Sequence, residues 1–165
     1  MKKAIIIAVI VAAIAVPAAI YAAGPLFINK TIDEAAPLAP KDTMSDSGDN
    51  MTGNPDAMAT KVAGRFVGVG DGIHDAQGTV TVIPVDSGNV LRLEEFRSTN
   101  GPDLYVYLST DEEASDFVNL GRLKANIGNQ NYDIPDGTDL SKYDTVLIWC
   151  QQFSVLFGSA NLESS

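Results

Sequence analysis

Thr79-Val80-Thr81-Val82-Ile83-Pro84-Val85 ("TVTVIPV") runs into Asp86-Ser87-Gly88-Asn89 and then into residues 90–97 ("VLRLEEFR"). Threonine and valine alternate up to Ile83, the period-2 signature of a half-buried strand. Pro84 suits a strand end, because proline cannot donate to a ladder. The Asp/Ser/Gly/Asn cluster is a turn, so the stretch predicts two strands and their connection.

Outward from this pair the same grammar repeats. Residues 64–69 ("GRFVGV"), 104–108 ("LYVYL"), 118–123, 145–150 ("TVLIWC") and 153–158 read as further strands, and 132–135 as a short extended piece. The Gly/Asn-rich "ANIGNQN" (residues 125–131) reads as a turn, and "LSKY" (140–143) as a helical turn. No stretch carries a long amphipathic helical period. Short strands at intervals of eight to twelve residues predict an all-β domain over 62–162, a sandwich or barrel-like fold of about eight mainly antiparallel strands. A domain of this size can bury a sufficient core without disulfides.

Two different compositions precede it. Lys2 and Lys3 flank an uncharged run over residues 4–23, and the apolar character continues to Ile28. As a helix, twenty such residues would span roughly 30 Å, the hydrocarbon core of a bilayer. The lysines predict a cytoplasmic N-terminus and an exported domain. A cleaved signal peptide is the alternative, although Tyr21-Ala22-Ala23 puts a bulky residue where a small one is wanted. The expectation is an uncleaved plasma-membrane anchor at 1–28, with one transmembrane helix. Residues 29–61 are rich in Pro, Asp, Ser, Gly and Thr, and predict a flexible acidic linker. It holds two N-x-T sequons, at Asn29 and Asn50, and Met44, Met51 and Met58 at seven-residue spacing. Three thioethers spread along a flexible segment make a poor Cu(I) cage.

The formal charge is −10 in 165 residues. Nucleic-acid binding needs clustered Lys and Arg to displace phosphate counterions, so no nucleic-acid partner is expected. The acidity equally disfavours docking on anionic headgroups and suits a solvated surface.

The chain has one cysteine, one tryptophan and one histidine. Cys150 cannot form an intrachain disulfide. On a strand it shares a face with Val146 and Ile148, and Trp149 points the other way. Two readings stand: a small buried hydrophobe, since free cysteine is often core, or a redox thiol, which needs access and a lowered pKa. His74, in the glycine-rich "GDGIHDAQG", reads as a loop residue. One histidine and one cysteine are too few for a blue-copper centre or a Cys/His zinc site. Haem held by a single ligand, His74 or a Met, is open on composition but has no motif behind it, so no cofactor is required by the sequence. Glu94 and Glu95, adjacent on a strand, point to opposite faces and make a poor acid/base pair. The acidic stretch 111–116 reads as a solvated turn. Neither a nucleophile elbow nor a phosphate loop occurs, so hydrolase and kinase readings have no motif behind them, and an enzyme of another kind has no supporting constellation in the sequence.

Four segments together resemble the DM13 domain, an extracytoplasmic all-β module: "GRFVGVGDGIHDAQGTVTV" (64–82), "VLRLEEFRSTNGPDLYVYLS" (90–109), "NLGRLKANIGNQNYDIP" (119–135) and "YDTVLIWCQQFSVLFGSANL" (143–162). The Asn100-Gly101-Pro102-Asp103 run and the Trp149-Cys150 pair are the most specific parts. The resemblance implies a redox or electron-transfer role centred on the cysteine matching Cys150; Trp149, beside it, and His74 are the candidate supporting residues. DM13 is found elsewhere joined to DOMON and cytochrome b561-type domains. Neither is read in this sequence, which leaves the donor and acceptor open: a small thiol, another protein, or a second copy. From the residues themselves, Asn100-Gly101 favours positive φ and Pro102 fixes the entry to a strand whose Tyr105 and Tyr107 share a face. That motif is therefore expected to determine fold. The rival function is a non-catalytic cell-surface binding or adhesion module with Cys150 as packing.

Overall fold

A computed structural model describes residues 28–38 and 62–164, together with Val11, Ala13 and Ala15, which are helical. Among the described residues no helix is long and apolar enough to cross a membrane. The anchor expected at 1–28 falls almost wholly outside them, as do Asn50, Met44, Met51 and Met58.

The strands are β1 (Thr31–Asp33), β2 (Val62–Arg65), β3 (Val67–Gly68), β4 (Ala76–Val85), β5 (Gly88–Ser98), β6 (Leu104–Ser109), β7 (Phe117–Arg122), β8 (Ile127–Ile134), β9 (Thr145–Cys150), β10 (Val155–Asn161) and β11 (Glu163–Ser164). They form two sheets, ordered β1-β8-β5-β4-β2-β11 and β3-β10-β9-β6-β7. The all-β expectation holds, with eleven strands among the described residues in place of about eight. All pairings are antiparallel except β1 on β8.

The "TVTV" alternation explains the first sheet. Val80 and Val82 pair with Leu93 and Leu91 across the β4–β5 hairpin, and all four face the core. Asp86 and Ser87 make the turn, and Gly88 follows it at φ 130°. The second sheet contributes Leu104, Val106 and Leu108 from β6 and Val146, Ile148 and Cys150 from β9. Each fully buried Val, Leu or Ile side chain stabilises the fold by about 1.5–3 kcal/mol.

Four local readings change. The segment 125–131, expected to be a turn, supplies the first five of the eight residues of β8, an interior strand that pairs with β5 and with β1. Its polar side chains are used for bonding: Gln130 is buried, donates to the Ala125 carbonyl (2.8 Å) and accepts from the Tyr132 hydroxyl (2.8 Å). Burial pushes the Tyr132 hydroxyl pKa well up, which keeps it protonated as this donor.

The expected linker at 29–61 opens with β1, so its first residues are part of the sandwich. Glu34 accepts from Lys124 Nζ (2.9 and 3.0 Å) and from the Asn131 amide (2.7 Å), and its carbonyl accepts from Arg92 (3.1 Å). Gly128 sits at φ 106°, and a side chain there would collide with the Ile32 carbonyl.

The last long strand starts at Val155, because residues 151–154 form the turn. Glu95 adopts φ 49° at a break in the β5–β8 register, so the strict strand alternation assumed for Glu94 and Glu95 does not apply there.

Candidate functional site

β9 is the central strand of the second sheet, and Cys150 is its last residue. It lies opposite Leu104 of β6 on one side and Val155 of β10 on the other. The Cys150–Val155 pair closes the β9–β10 hairpin, whose turn, residues 151–154, is exposed throughout. Cys150 itself is 1% exposed and packs in the core. Both sequence readings therefore meet at one residue: a core thiol, one residue from solvent along the chain.

The loop carrying Asn100 to Asp103 covers this end of the sandwich. A Cβ on Gly101 would lie 2.8 Å from Leu104 Cδ2 and 2.8 Å from Phe157 Cζ. Gly101 does not adopt a positive φ. Its requirement is therefore close approach, which corrects the expectation of a left-handed turn at Asn100-Gly101. The Asp103 carbonyl accepts from the Gln151 amide (2.9 Å), so the residue after Cys150 is pinned to the loop. The Asp103 carboxylate pairs with Arg122 across the sheet. That contact and the Tyr105 ring, 5.8 Å from the guanidinium carbon, fix the Arg122 side chain. Pro102 is exposed at the bend before β6.

Trp149 stands on the opposite face of β9, partly exposed and paired with Tyr105 of β6 and Leu156 of β10. Tyr105 and Tyr107 do share that outer face, with ring centroids 6.2 Å apart. Tyr107 stacks on Phe117 at 4.2 Å. Burial, then the neighbouring Tyr105 and Asp103, raises the Tyr107 hydroxyl pKa.

His74 reaches the same end by another route. Its ring packs edge-on against Phe157 at 4.5 Å, and its Nδ1 lies 2.5 Å from the Asp71 carboxylate. The backbone amides of His74 and Ile73 and the imidazole hold the Asp71 carboxyl down to about 2. Phe157 is the residue that sequence reasoning missed. It occupies the bulge where the β9–β10 register shifts between Leu156 and Gly158, and it touches both His74 and the Gly101 loop. The bulge turns its ring into the core, and no sequence signal marked it.

The structure thus gathers Cys150, Asn100 to Asp103 and, through Phe157, His74 at one end, with Trp149 on the outer face behind the thiol. Among the described residues, no group of three or more His, Cys, Asp or Glu could hold a metal. The acidic loop is more than a solvated turn: Asp111 accepts from the amides of Glu113 (3.1 Å) and Ser115 (3.0 Å), and Glu112 accepts from the Ser159 hydroxyl (2.6 Å). The open cavity beside Glu112, about 580 Å³, is lined by residues of β2, β3 and β10 and includes none of Cys150, Trp149 and His74.

The chemistry open to this arrangement is narrow. A thiolate reacts only when an electrophile reaches it, and Cys150 is closed off by Leu104, Val155 and the core behind them. Reaction requires the hairpin end to open. The thiol then has no partner in its own chain and must borrow one.

No curated protein and no solved structure matches the chain. A family model described as Electron transfer DM13 matches residues 68–162, from β3 to the end of β10, and takes in Cys150 and the loop from Asn100 to Asp103. With more than half of its length matched, the chain belongs to the electron transfer DM13 family.

Proposed function

We propose that this chain is a membrane-tethered, extracytoplasmic redox module with Cys150 as its redox centre. The observation that carries the reading is the position of Cys150 at the hairpin-closing pair, next to an exposed four-residue turn. Fraying of this strand end, with loss of the pairings to Val155 and Leu104 and of the Gln151–Asp103 bond, brings the thiol to solvent while the rest of the two sheets stays packed. The exposed thiolate attacks a disulfide of a partner protein or small molecule. One S–S bond forms to Cys150 as the old one breaks, and the departing thiolate takes up the proton released by Cys150. A second thiol resolves the mixed disulfide and returns Cys150 to the reduced form. On this reading the run over residues 4–23 spans the membrane, and Lys2 and Lys3 keep the N-terminus in the cytoplasm. The test is the reactivity of Cys150 in the folded chain, with reaction through local opening expected.

The alternative is a non-catalytic surface binding module. Its support is the 1% exposure of Cys150 within a core formed with Val146 and Ile148. On that reading the thiol reacts only after denaturation.

A further inference from the structure

The chain enters the sandwich at the end that carries Cys150. Four connections lie at that end, residues 69–75, 99–103, 123–126 and 151–154, and three at the other, residues 86–87, 110–116 and 135–144. Asn29, two residues before β1, is fixed to two of the four. Its Oδ1 accepts from Asn126 Nδ2 (2.9 Å) and from Asn100 Nδ2 (3.1 Å). The Lys30 amide donates to Asn126 Oδ1 (2.7 Å), and the Lys30 carbonyl accepts from the Ile127 amide (3.1 Å). β1 then runs away from this end, parallel to β8. With residues 4–23 taken as the membrane span proposed for this chain, only residues 24–28 separate the span from Asn29, and these include Leu26, Phe27 and Ile28. At about 3.3–3.6 Å per residue, a stretch of this length reaches about 20 Å when fully extended.

A single point of attachment leaves the domain free to tilt, and two further observations set the tilt. The large apolar side chains exposed on the connections are Val69, Ile73 and Phe153, and all three are at the Cys150 end. Ile73 is 71% exposed and Phe153 64%. Single apolar residues scattered over a surface are ordinary, but apolar loop residues gathered around the point where a membrane span enters suit the headgroup layer. Charge is divided the opposite way. The three far connections carry eight carboxylates and one lysine, Lys142. The connections of the Cys150 end carry three carboxylates, set against Lys30, Lys124 and, near the strand ends, Arg97 and Arg122. Asp71 and Asp103 are paired there with His74 and Arg122, whereas Lys30 and Arg97 are exposed with no ion pair among the described residues. The acidity that disfavours docking on anionic headgroups thus belongs to the far end, and it turns that end away from such a surface.

We infer that the Cys150 end of the sandwich docks on the membrane that holds the chain, with Ile73 and Phe153 in the headgroup layer and Lys30 and Arg97 beside lipid phosphates. The hairpin end that must open to release Cys150 then faces the bilayer, and the proposed thiol exchange takes place at the lipid surface.

The test uses the full chain in vesicles of phosphatidylcholine and phosphatidylglycerol, with a nitroxide on the headgroup of a fraction of the lipid. In a Cys150→Ala background a dye is attached through Gln152→Cys, in the exposed turn, or through Ser87→Cys, at the far end. β5, with eleven residues at about 3.3 Å each, sets the two labels roughly 35 Å apart along the sandwich. The dye at position 152 is expected to lose most of its emission to the nitroxide, and the dye at position 87 to keep nearly all of its own. Trp149, the only tryptophan and partly exposed beside Cys150, should be quenched in the unsubstituted chain, which checks the docking without the label or the Cys150 substitution. Ile73→Ser combined with Phe153→Ser should lower the ratio of docked to undocked chains by about ten-fold or more, because two large side chains lose their apolar surroundings. A wash in alkaline carbonate reports on the tether separately. A chain that washes off the vesicles overturns the tether and the docking together. A chain that stays, with equal quenching of the two dyes or unchanged quenching after both serine substitutions, overturns the docking alone.

Discussion

Labelling of Cys150 by a thiol reagent separates a gated redox centre from a core residue. The perturbation is addition of reagent to the folded chain in rising urea, with the unfolded chain as reference. Opening the hairpin end breaks the Cys150–Val155 closing pair and the bond from the Gln151 amide to the Asp103 carbonyl. Two or three backbone hydrogen bonds at about 1 kcal/mol each, plus re-exposure of one small apolar side chain, put this opening at about 3–5 kcal/mol. Labelling should then run roughly two to four orders of magnitude slower than in the unfolded chain. Global unfolding of a domain costs about 5–15 kcal/mol, so the upper end of the local estimate overlaps it. The denaturant slope decides between them. Local opening exposes little surface and gives a nearly flat rate in low urea, whereas global unfolding gives a slope of about 1–3 kcal/mol per molar. A rate that follows the full unfolding slope down to zero urea would refute the gated centre and leave Cys150 as packing.

Other consequences can be checked alongside. Gly101→Ala should destabilise the domain by about 1–3 kcal/mol, read as a lower urea midpoint, because its methyl overpacks Leu104 and Phe157. Cys150→Ser should cost more than Cys150→Ala in the same assay, since a hydroxyl without a partner costs about 1–3 kcal/mol in an apolar site; the reverse order would place a polar partner beside Sγ. The β1 arm should respond to acid. Burial pushes the Glu34 carboxyl up, but hydrogen bonds from Lys124 and the Asn131 amide, with the Lys124 and Arg92 charges, leave it below its ordinary 4.5. A depressed carboxyl gives stability that is full above 4.5 and fades as pH falls through the lower folded value. Shifts of residues 31–34 should therefore move toward those of an undocked arm only as pH falls below the ordinary carboxyl value of 4.5, and Glu34→Gln should abolish that titration.

The parts of the fold written in apolar alternation were legible. Val80, Val82, Leu91 and Leu93 declare their face, and the run to Cys150 declares a central strand with the thiol at its end. β8 was hidden because its side chains serve as hydrogen-bonding groups: Asn129 and Asn131 hold the β1 arm, and Gln130 holds the loop at Ala125. A strand that uses amides in this way has the composition of a turn. β1 was hidden for the complementary reason. It is three residues long, and it is fixed by partners about a hundred positions away. At the site, Cys150 and the Asn100 loop were visible as residue types. That Gly101 packs against Leu104 and Phe157 at this strand end depends on a bulge in β10, and a bulge leaves no periodic trace.

The docking of β1 changes what the residues between it and β2 connect. With both ends of residues 39–61 joined to the same sheet, that stretch closes a loop on one body. A protease that cuts within it would leave two fragments held by the Glu34 and Asn131 contacts, so a nick there is expected to be silent in a native gel and visible only after denaturation. Cleavage before Asn29 would leave the whole sandwich intact, arm included.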